Sequence, residues 1–488
     1  MKSVALHNLG CKVNAYEMDV MRQNLQENGY QIVPFVQKAD IYIINTCTVT
    51  NIADRKSRQM LHRARKNNPD AVIVAVGCYV QHEAENRYAA EKNMPERTGG
   101  QGVMTGNDAL SLQAKELGAD IIIGNNRKGQ IVRILEEYFR EHTVRDHVID
   151  IADTDEYEAL TLTKPQEHSR VFLKIQDGCN QFCTYCAIPY ARGRVRSRKP
   201  EEVLSEARAL VSGGCREIVL TGIHLSSYGL DFLGIRLADY RDAVKAGFLA
   251  ELIERLAEIP ELCRIRLGSL EPQIITEEFV QRLSKCKKLC PHFHLSLQSG
   301  SDTVLRRMNR HYRTEEFAKS VQILRKAFAR AAITTDVIVG FPGESEEEFA
   351  ETKAFVRRIG FYEMHVFQYS KRAGTPAAAM EGQISDNIKA ARSGELIGIG
   401  KELSEQYRAR LIGRPMEILT EERKKIGGVW FLTGHTDDYV AAAVPEYVSE
   451  PNRIVRGAGA GLMMDGVQQI VRMAADPGDG GCAPVHPA

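Results

Sequence analysis

The sequence predicts a multidomain α/β chain with an N-terminal parallel α/β domain, a central run of β/α units curled into a partial barrel, and a small C-terminal β module. Two observations carry that expectation. Short apolar runs alternate with stretches of helical apolar spacing, first over residues 1–142 and again over 170–405, which is the rhythm of parallel sheets with crossover helices. From residue 406 the text breaks into short alternating pieces, and these suit a small β-barrel or sandwich. The length of 488 residues agrees, because single cores stop growing well below that size.

In the first domain, residues 4–6, 41–44, 72–76 and 119–124 read as strands. Residues 17–28, 54–66 and 129–140 read as helices, the second of them N-capped by Asp54. The glycine-rich text at 99–106 reads as a loop, and the acidic, weakly periodic residues 143–169 as a linker. In the central domain the strand candidates are 171–175, 217–221, 264–267, 292–297, 333–339 and 363–368, with helices at 202–211, 249–257, 314–328 and 346–359 between them. A (β/α)6 arrangement of this kind places its chemistry in the loops after the strands. The β module spans 406–473, with strand candidates at 417–420, 429–433 and 439–444, and residues 474–488, rich in Gly, Pro and Ala, read as a disordered tail.

Composition excludes several classes of function. Lys plus Arg number 64 against 63 Asp plus Glu, so there is no global pull toward nucleic acid or membrane and any basic site must be local. No run approaches the roughly 18 apolar residues of a membrane span, and no apolar signal core follows the N-terminus, so a cytoplasmic protein without a membrane partner is expected. The 11 cysteines are odd in number and are not grouped like a secreted disulfide framework. Reduced thiols or metal ligands are expected instead.

The sharpest motif is DGCNQFCTYC, which places Cys179, Cys183 and Cys186 in the loop after the first strand of the central domain. A structural zinc site wants four ligands, usually in two pairs, and no nearby His or Cys completes one. Three thiolates suit a [4Fe-4S] cluster with one iron left open, and a zinc knuckle is the plainer alternative. A second trio owes nothing to local spacing. Cys11, Cys47 and Cys78 each follow a strand of the first domain, and parallel strands end on one edge of their sheet, where such sheets bind ligands. The plain alternative is that buried cysteines and strand ends are both common.

The CNQFCTYC motif resembles that of the radical S-adenosylmethionine (SAM) superfamily, in which the open iron chelates SAM and a 5′-deoxyadenosyl radical forms. The resemblance implies catalytic roles for Cys179, Cys183 and Cys186, and SAM contacts at Ile188, Thr221, Gly222, Ser269, Glu271, Gln298 and Asp336, all near strand ends. Ordinary loop polarity is the alternative for each of those contacts. The whole chain to about residue 473 resembles the methylthiotransferases through NLGCKVNAYE, NTCTVT, VGCY, CNQFCTYCAIPYARGRVRSR, TGIHLSSYG and QYSKRAGTPA. That family pairs an N-terminal cluster domain with a radical SAM core and an RNA-binding β module called TRAM.

This resemblance implies two [4Fe-4S] clusters, the second on Cys11, Cys47 and Cys78, with SAM as cosubstrate. It further implies the tRNA anticodon loop as partner and an electron donor such as a flavodoxin or ferredoxin. NLGCKVN and TGIHLSSYG look most like the branch acting on C2 of N6-threonylcarbamoyladenosine at position 37 of tRNA. The alternatives are isopentenyladenosine in tRNA, a ribosomal protein, or a non-catalytic RNA-binding protein with zinc in the trios. RNA contacts are expected at Arg192, Arg194, Arg196 and Arg198, and on the basic helix carrying Arg55, Lys56, Arg58, Arg63, Arg65 and Lys66. The β module is expected to grip RNA backbone and to be removable without loss of SAM cleavage.

Overall fold

The computed structural model describes residues 1–92, 114, 116–141, 145–152, 154–165, 169–234 and 239–475. The glycine-rich text at 99–106, Cys482 and the tail from 476 onward lie outside the described residues.

The first domain is a six-stranded parallel sheet in the order β2-β1-β3-β4-β5-β6, with β1 at Ser3–Asn8, β2 at Gln31–Val33, β3 at Ile41–Thr46, β4 at Val72–Gly77, β5 at Ile121–Ile123 and β6 at Arg145–His147. Every residue of β3 and β4 is buried, as central parallel strands covered on both faces require. One face packs Met18, Met21 and Leu25 of the helix Lys12–Glu27 with Ile131, Ile134 and Leu135 of the helix Ile131–Glu141. The other face packs Leu61 and Ala64 of the helix Asn51–Asn67. The short strand β6 extends this sheet past residue 142. The cap of the helix Asn51–Asn67 is Thr50, whose side chain accepts the Ala53 N–H. Asp54 is instead turned inward, where it accepts from Thr48 and Arg372.

Residues 148–152 and 154–165 pack as a strap. Ile151, Leu160 and Leu162 are buried, and the Tyr16 hydroxyl donates to the Leu160 carbonyl at 2.8 Å. The few leucines in this acidic text are enough to hold it down.

The central domain contains two parallel three-stranded sheets, β11-β10-β7 and β12-β13-β14, joined by bridges between Ile265 and Leu289 and between Leu270 and Leu295. The strands are β7 Arg170–Lys174, β10 Glu217–Thr221, β11 Arg264–Leu267, β12 His292–His294, β13 Ala332–Val339 and β14 Glu363–Gln368, while β8 Gln176–Asp177 and β9 Arg196–Ser197 form a small antiparallel pair. The result is one curved wall with β7 and β14 as its edges. The helix Lys12–Glu27 packs against β7 and a long helix, Asp386–Ala409, packs along β14. That helix runs through the expected boundary at residue 405.

The β module is a closed barrel in the order β15-β16-β17-β19-β18, built from β15 Pro415–Ile426, β16 Val429–Thr436, β17 Ala441–Pro445, β18 Ile454–Asp465 and β19 Gln468–Ala475. It is not a detachable appendage. Tyr439, held at φ 68°, has the guanidinium groups of Arg170 and Arg266 over its ring at 5.2 and 4.7 Å, with the His292 and His435 rings at 4.8 and 4.7 Å. Arg264 donates to Glu417, and Arg266 donates to the Thr436 and Asp437 carbonyls. Behind them Glu217 is fully buried. Burial alone would raise its pKa, but Arg266 and Arg264 overcome that and hold its carboxyl down at about 2.

Removing a partner from a buried charged group costs roughly 3–5 kcal/mol. A chain ending at Arg410 is therefore expected to melt well below the full chain in a fluorimetric scan and to lose SAM cleavage with it. An unchanged melting temperature and normal cleavage would restore the separable module.

Candidate active site between the two cysteine trios

The first trio sits in the loop that leaves β8, and one side chain fastens that loop. Gln176 Nε2 donates to the Asp177 and Gly178 carbonyls at 2.6 and 2.7 Å, and its Oε1 accepts the His224 N–H at 2.8 Å, tying down the loop after β10 as well. Gly178 has φ +71°, and a Cβ there would fall 1.8 Å from the Arg194 carbonyl oxygen, so only glycine fits. The Gln181 N–H points at Cys179 Sγ at 3.5 Å, and Arg310 Nη1 donates to Cys183 Sγ at 3.3 Å. Desolvation and the neighbouring Cys183 push the Cys179 thiol well up and Cys186 to about 12. Thiols in this state bind iron only by releasing their protons.

Of the strand-end residues, Gly222 and Glu271 are linked to this loop through Gln176 and Arg310. Ile188 opens the short helix Ile188–Arg192, Thr221 is buried at the end of β10, Gly222 lies against Gln176, and Ser269 is exposed. Glu271 is buried with both oxygens held by Arg310 Nη2 at 2.7 and 2.6 Å. Burial acts to raise its pKa, but Arg310 and His224 keep it down at about 2. Gln298 takes φ +65°, a left-handed backbone that non-glycine residues adopt at a cost, and it bridges to Val337. Asp336 faces His294 at 3.3 Å, and the His294 ring stacks on His365 with centroids 6.2 Å apart.

Two residues of the second trio stand at helix N-termini, and the third lies three residues ahead of a helix cap. Cys11 is the N-cap of the helix Lys12–Glu27, Cys47 precedes the helix Asn51–Asn67, and Cys78 begins the helix Cys78–Lys92. Helix N-termini favour thiolates. Gly10, at φ +107°, passes so close that a Cβ would lie 3.0 Å from both Cβ and Sγ of Cys47. Burial, with Cys78 adding to it, pushes the Cys47 thiol up to about 12. Beside Cys11, Lys12 shares its surroundings with Arg266, Arg170 and Asp336. Its ammonium has no ion-pair partner among the described residues.

Arg192 overturns the expected RNA contact at its position. It is fully buried: Nε donates to Cys78 Sγ at 3.1 Å, Nη1 to Glu17 at 2.8 Å and to Asp177 at 3.1 Å, and Nη2 to Asn14 at 2.7 Å. Arg196 and Arg198 are buried too, the first near Asp177 at 4.0 Å and the second paired with Glu206. Their charge is directed to carboxylates inside the protein, so they have none to offer a phosphate. Arg194 alone of the four is exposed, with its guanidinium over the Phe182 ring. On the helix Asn51–Asn67, Arg55, Lys56, Arg58, Arg63 and Lys66 are exposed, while Arg65 pairs with Asp120 at 2.6 Å.

The donor set fits iron–sulfur ligation at both trios. Around Cys78, ion pairs within 4.0 Å among the described residues join Lys128, Lys174, Arg192 and Arg196 to Glu17 and Asp177. Arg192 Nε, held in place by those carboxylates, is aimed at Cys78 Sγ at 3.1 Å, a donor that a metal-bound sulfur accepts. Among the described residues no three His, Cys, Asp or Glu side chains are grouped to hold a single metal ion. A second clasp lies beside Cys47, where the buried Arg372 donates to Thr48, Asn51 and Asp54 at 2.5 to 2.6 Å. Sequence reasoning missed Glu17, Lys128, Arg310 and Arg372 as site residues. Glu17 closes the motif NLGCKVNAYE and Arg372 lies in QYSKRAGTPA, both already singled out, while Lys128 and Arg310 lie in no quoted motif.

Residues 173–356 match the Radical SAM superfamily, and residues 3–96 match a family described as Uncharacterized protein family UPF0004. The Bacillus subtilis (strain 168) Threonylcarbamoyladenosine tRNA methylthiotransferase MtaB is 41% identical over 441 residues, covering 90% of each chain. The Aquifex aeolicus (strain VF5) protein of the same name is 35% identical over 423 residues, 87% of this chain and 94% of that one. A tRNA-2-methylthio-N(6)-dimethylallyladenosine synthase from Carboxydothermus hydrogenoformans is 32% identical over 428 residues, 87% of this chain and 89% of that one. Among solved structures, the radical S-adenosylmethionine methyltransferase TsrM from Kitasatospora setae, with cobalamin and a [4Fe-4S] cluster bound, aligns with TM-score 0.51 and 14% identity over 77% of each chain, a likeness of fold. No helix among the described residues is long and apolar enough to cross a membrane. With relatives this similar along nearly its whole length, the chain belongs to the radical SAM tRNA methylthiotransferases, enzymes that use SAM and [4Fe-4S] chemistry.

Proposed function

We propose that this enzyme methylthiolates C2 of N6-threonylcarbamoyladenosine at position 37 of tRNA, with one [4Fe-4S] cluster on Cys179, Cys183 and Cys186 and a second on Cys11, Cys47 and Cys78. When bound, the first cluster with SAM supplies a carbon radical strong enough to act at an unactivated C–H bond, and the second supplies the sulfur. The chain's own residues do the rest. Gln176 ties the radical loop to the loop after β10, Arg310 fixes Cys183 against Glu271, and Arg192 and Arg372 hold the first domain over the barrel. Thr221, Gly222, Ser269, Glu271, Gln298 and Asp336 line the strand ends where SAM would lie.

The observation that carries the nucleoside is Lys12, an unpaired ammonium next to Cys11. Threonylcarbamoyladenosine bears a carboxylate that such a cation recognises, whereas an isopentenyl group is apolar. A lost charge-assisted contact costs about 1.5–3 kcal/mol. Lys12→Met is thus expected to slow threonylcarbamoyladenosine tRNA roughly ten- to hundredfold while leaving tRNA-independent SAM cleavage unchanged. Equal effects on isopentenyladenosine tRNA would remove this basis for the choice. Mass analysis of nucleosides from cells lacking the protein tests the substrate itself, the expected result being loss of the methylthio form of threonylcarbamoyladenosine alone.

The exposed basic face of the helix Asn51–Asn67 and the β15 to β16 hairpin, with Lys425 beside the half-exposed Trp430, support contact with an RNA loop. A flavodoxin- or ferredoxin-type protein is the class of electron donor that such a cluster needs.

A further inference from the structure

Arg192 belongs to the radical core by sequence and to the other trio by contact. The helix Ile188–Arg192 begins just after Cys186, and its last side chain crosses the domain boundary to reach Cys78. The guanidinium is fixed on every side, by Glu17 and Asn14 of the first domain and by Asp177 at the base of the radical loop. Asn125 also donates to the Ala191 carbonyl at 2.6 Å and to Cys78 Sγ at 3.7 Å, so the sulfur has a donor from each domain. Arg310 repeats the arrangement at the first trio, with one nitrogen on Cys183 and another on the buried Glu271. Hydrogen bonds to cluster sulfurs and nearby net charge are among the levers that set reduction potential.

We propose that Arg192 is a positioning residue for the cluster on Cys11, Cys47 and Cys78, donating to the Cys78 thiolate and raising that cluster's reduction potential. The inference rests on the reading that this trio holds a cluster. Its consequence is that the sulfur-donating site acquires its working potential only when the radical core is docked against it, because the donor is supplied by the segment that leaves Cys186.

The test is an anaerobic redox titration of the full-length reconstituted enzyme followed by electron paramagnetic resonance, with SAM added to identify the signal of the radical cluster. Arg192→Gln is expected to move the SAM-insensitive wave to lower potential and to leave the SAM-sensitive wave in place. Arg192→Lys retains a cation for Glu17 and Asp177, but an ammonium cannot reach the sulfur and both carboxylates in the same fork geometry. It is expected to keep full iron content and show a smaller downward shift, and it carries the test alone if the glutamine variant does not fold. A lowered melting temperature with an unmoved SAM-insensitive wave would make Arg192 a purely structural ion pair and overturn the proposal. If the unsubstituted enzyme shows no SAM-insensitive wave at all, the cluster reading fails first and the proposal falls with it.

Discussion

Cys183→Ala is expected to abolish reductive SAM cleavage while the other trio stays loaded, so anaerobic iron counting finds roughly half the iron of the unsubstituted enzyme. The expectation follows from the separation of the two sites. Cys183 lies in the loop fastened by Gln176 and Arg310, and none of its contacts reaches Cys11, Cys47 or Cys78. The substitution also releases Arg310 from one of its partners, but Glu271 continues to hold that guanidinium through both oxygens. The loop should therefore keep its place while losing its ligand. Chromatographic detection of 5′-deoxyadenosine reads the outcome, and normal production would remove the radical site from this loop.

Cys47→Ala is expected to do the reverse: SAM cleavage continues and no methylthiolated nucleoside forms. Cys47 sits between β3 and the helix Asn51–Asn67, where burial and Cys78 push its thiol up to about 12. A free thiol there stays protonated at neutral pH, and on the reading proposed above it gives up that proton only on binding iron. Alanine removes only the sulfur and leaves a small void, so the fold is expected to persist. Product at the unmodified rate would mean that the first-domain cysteines only pack.

The strands and the cysteines were legible in the sequence because both depend on local pattern. The runs at 41–44 and 72–76 are apolar throughout and fold as the fully buried β3 and β4. Convergence of Cys11, Cys47 and Cys78 is expected from one rule about parallel strands, and Gly10 lies close against Cys47. The charged residues were misread for a physical reason. Text such as RGRVRSR looks like a surface in one dimension, yet Arg192, Arg196 and Arg198 find Glu17, Asp177 and Glu206, which are remote in sequence or had no visible role. A buried ion pair depends on tertiary proximity, and nothing in local spacing announces it. The packing of Ile151, Leu160 and Leu162 and the arginines and histidines gathered on Tyr439 were missed likewise, since each involves a few apolar or aromatic residues in polar text.

Glu17 also constrains how the chain is made. Its carboxylate is fully buried, and one of its cations, Arg192, lies 175 residues further along. A nascent first domain emerges from the ribosome with that pairing unfinished, and Asp54 waits longer still, for an arginine 318 residues away. Domains that fold as they are synthesised normally close their own interiors first. Here the opening half of the chain is committed to partners not yet translated, so the edge bearing Cys11, Cys47 and Cys78 stays accessible during synthesis. A chain cut short ahead of residue 372 would complete the pairs of Glu17 but leave Asp54 without its arginine.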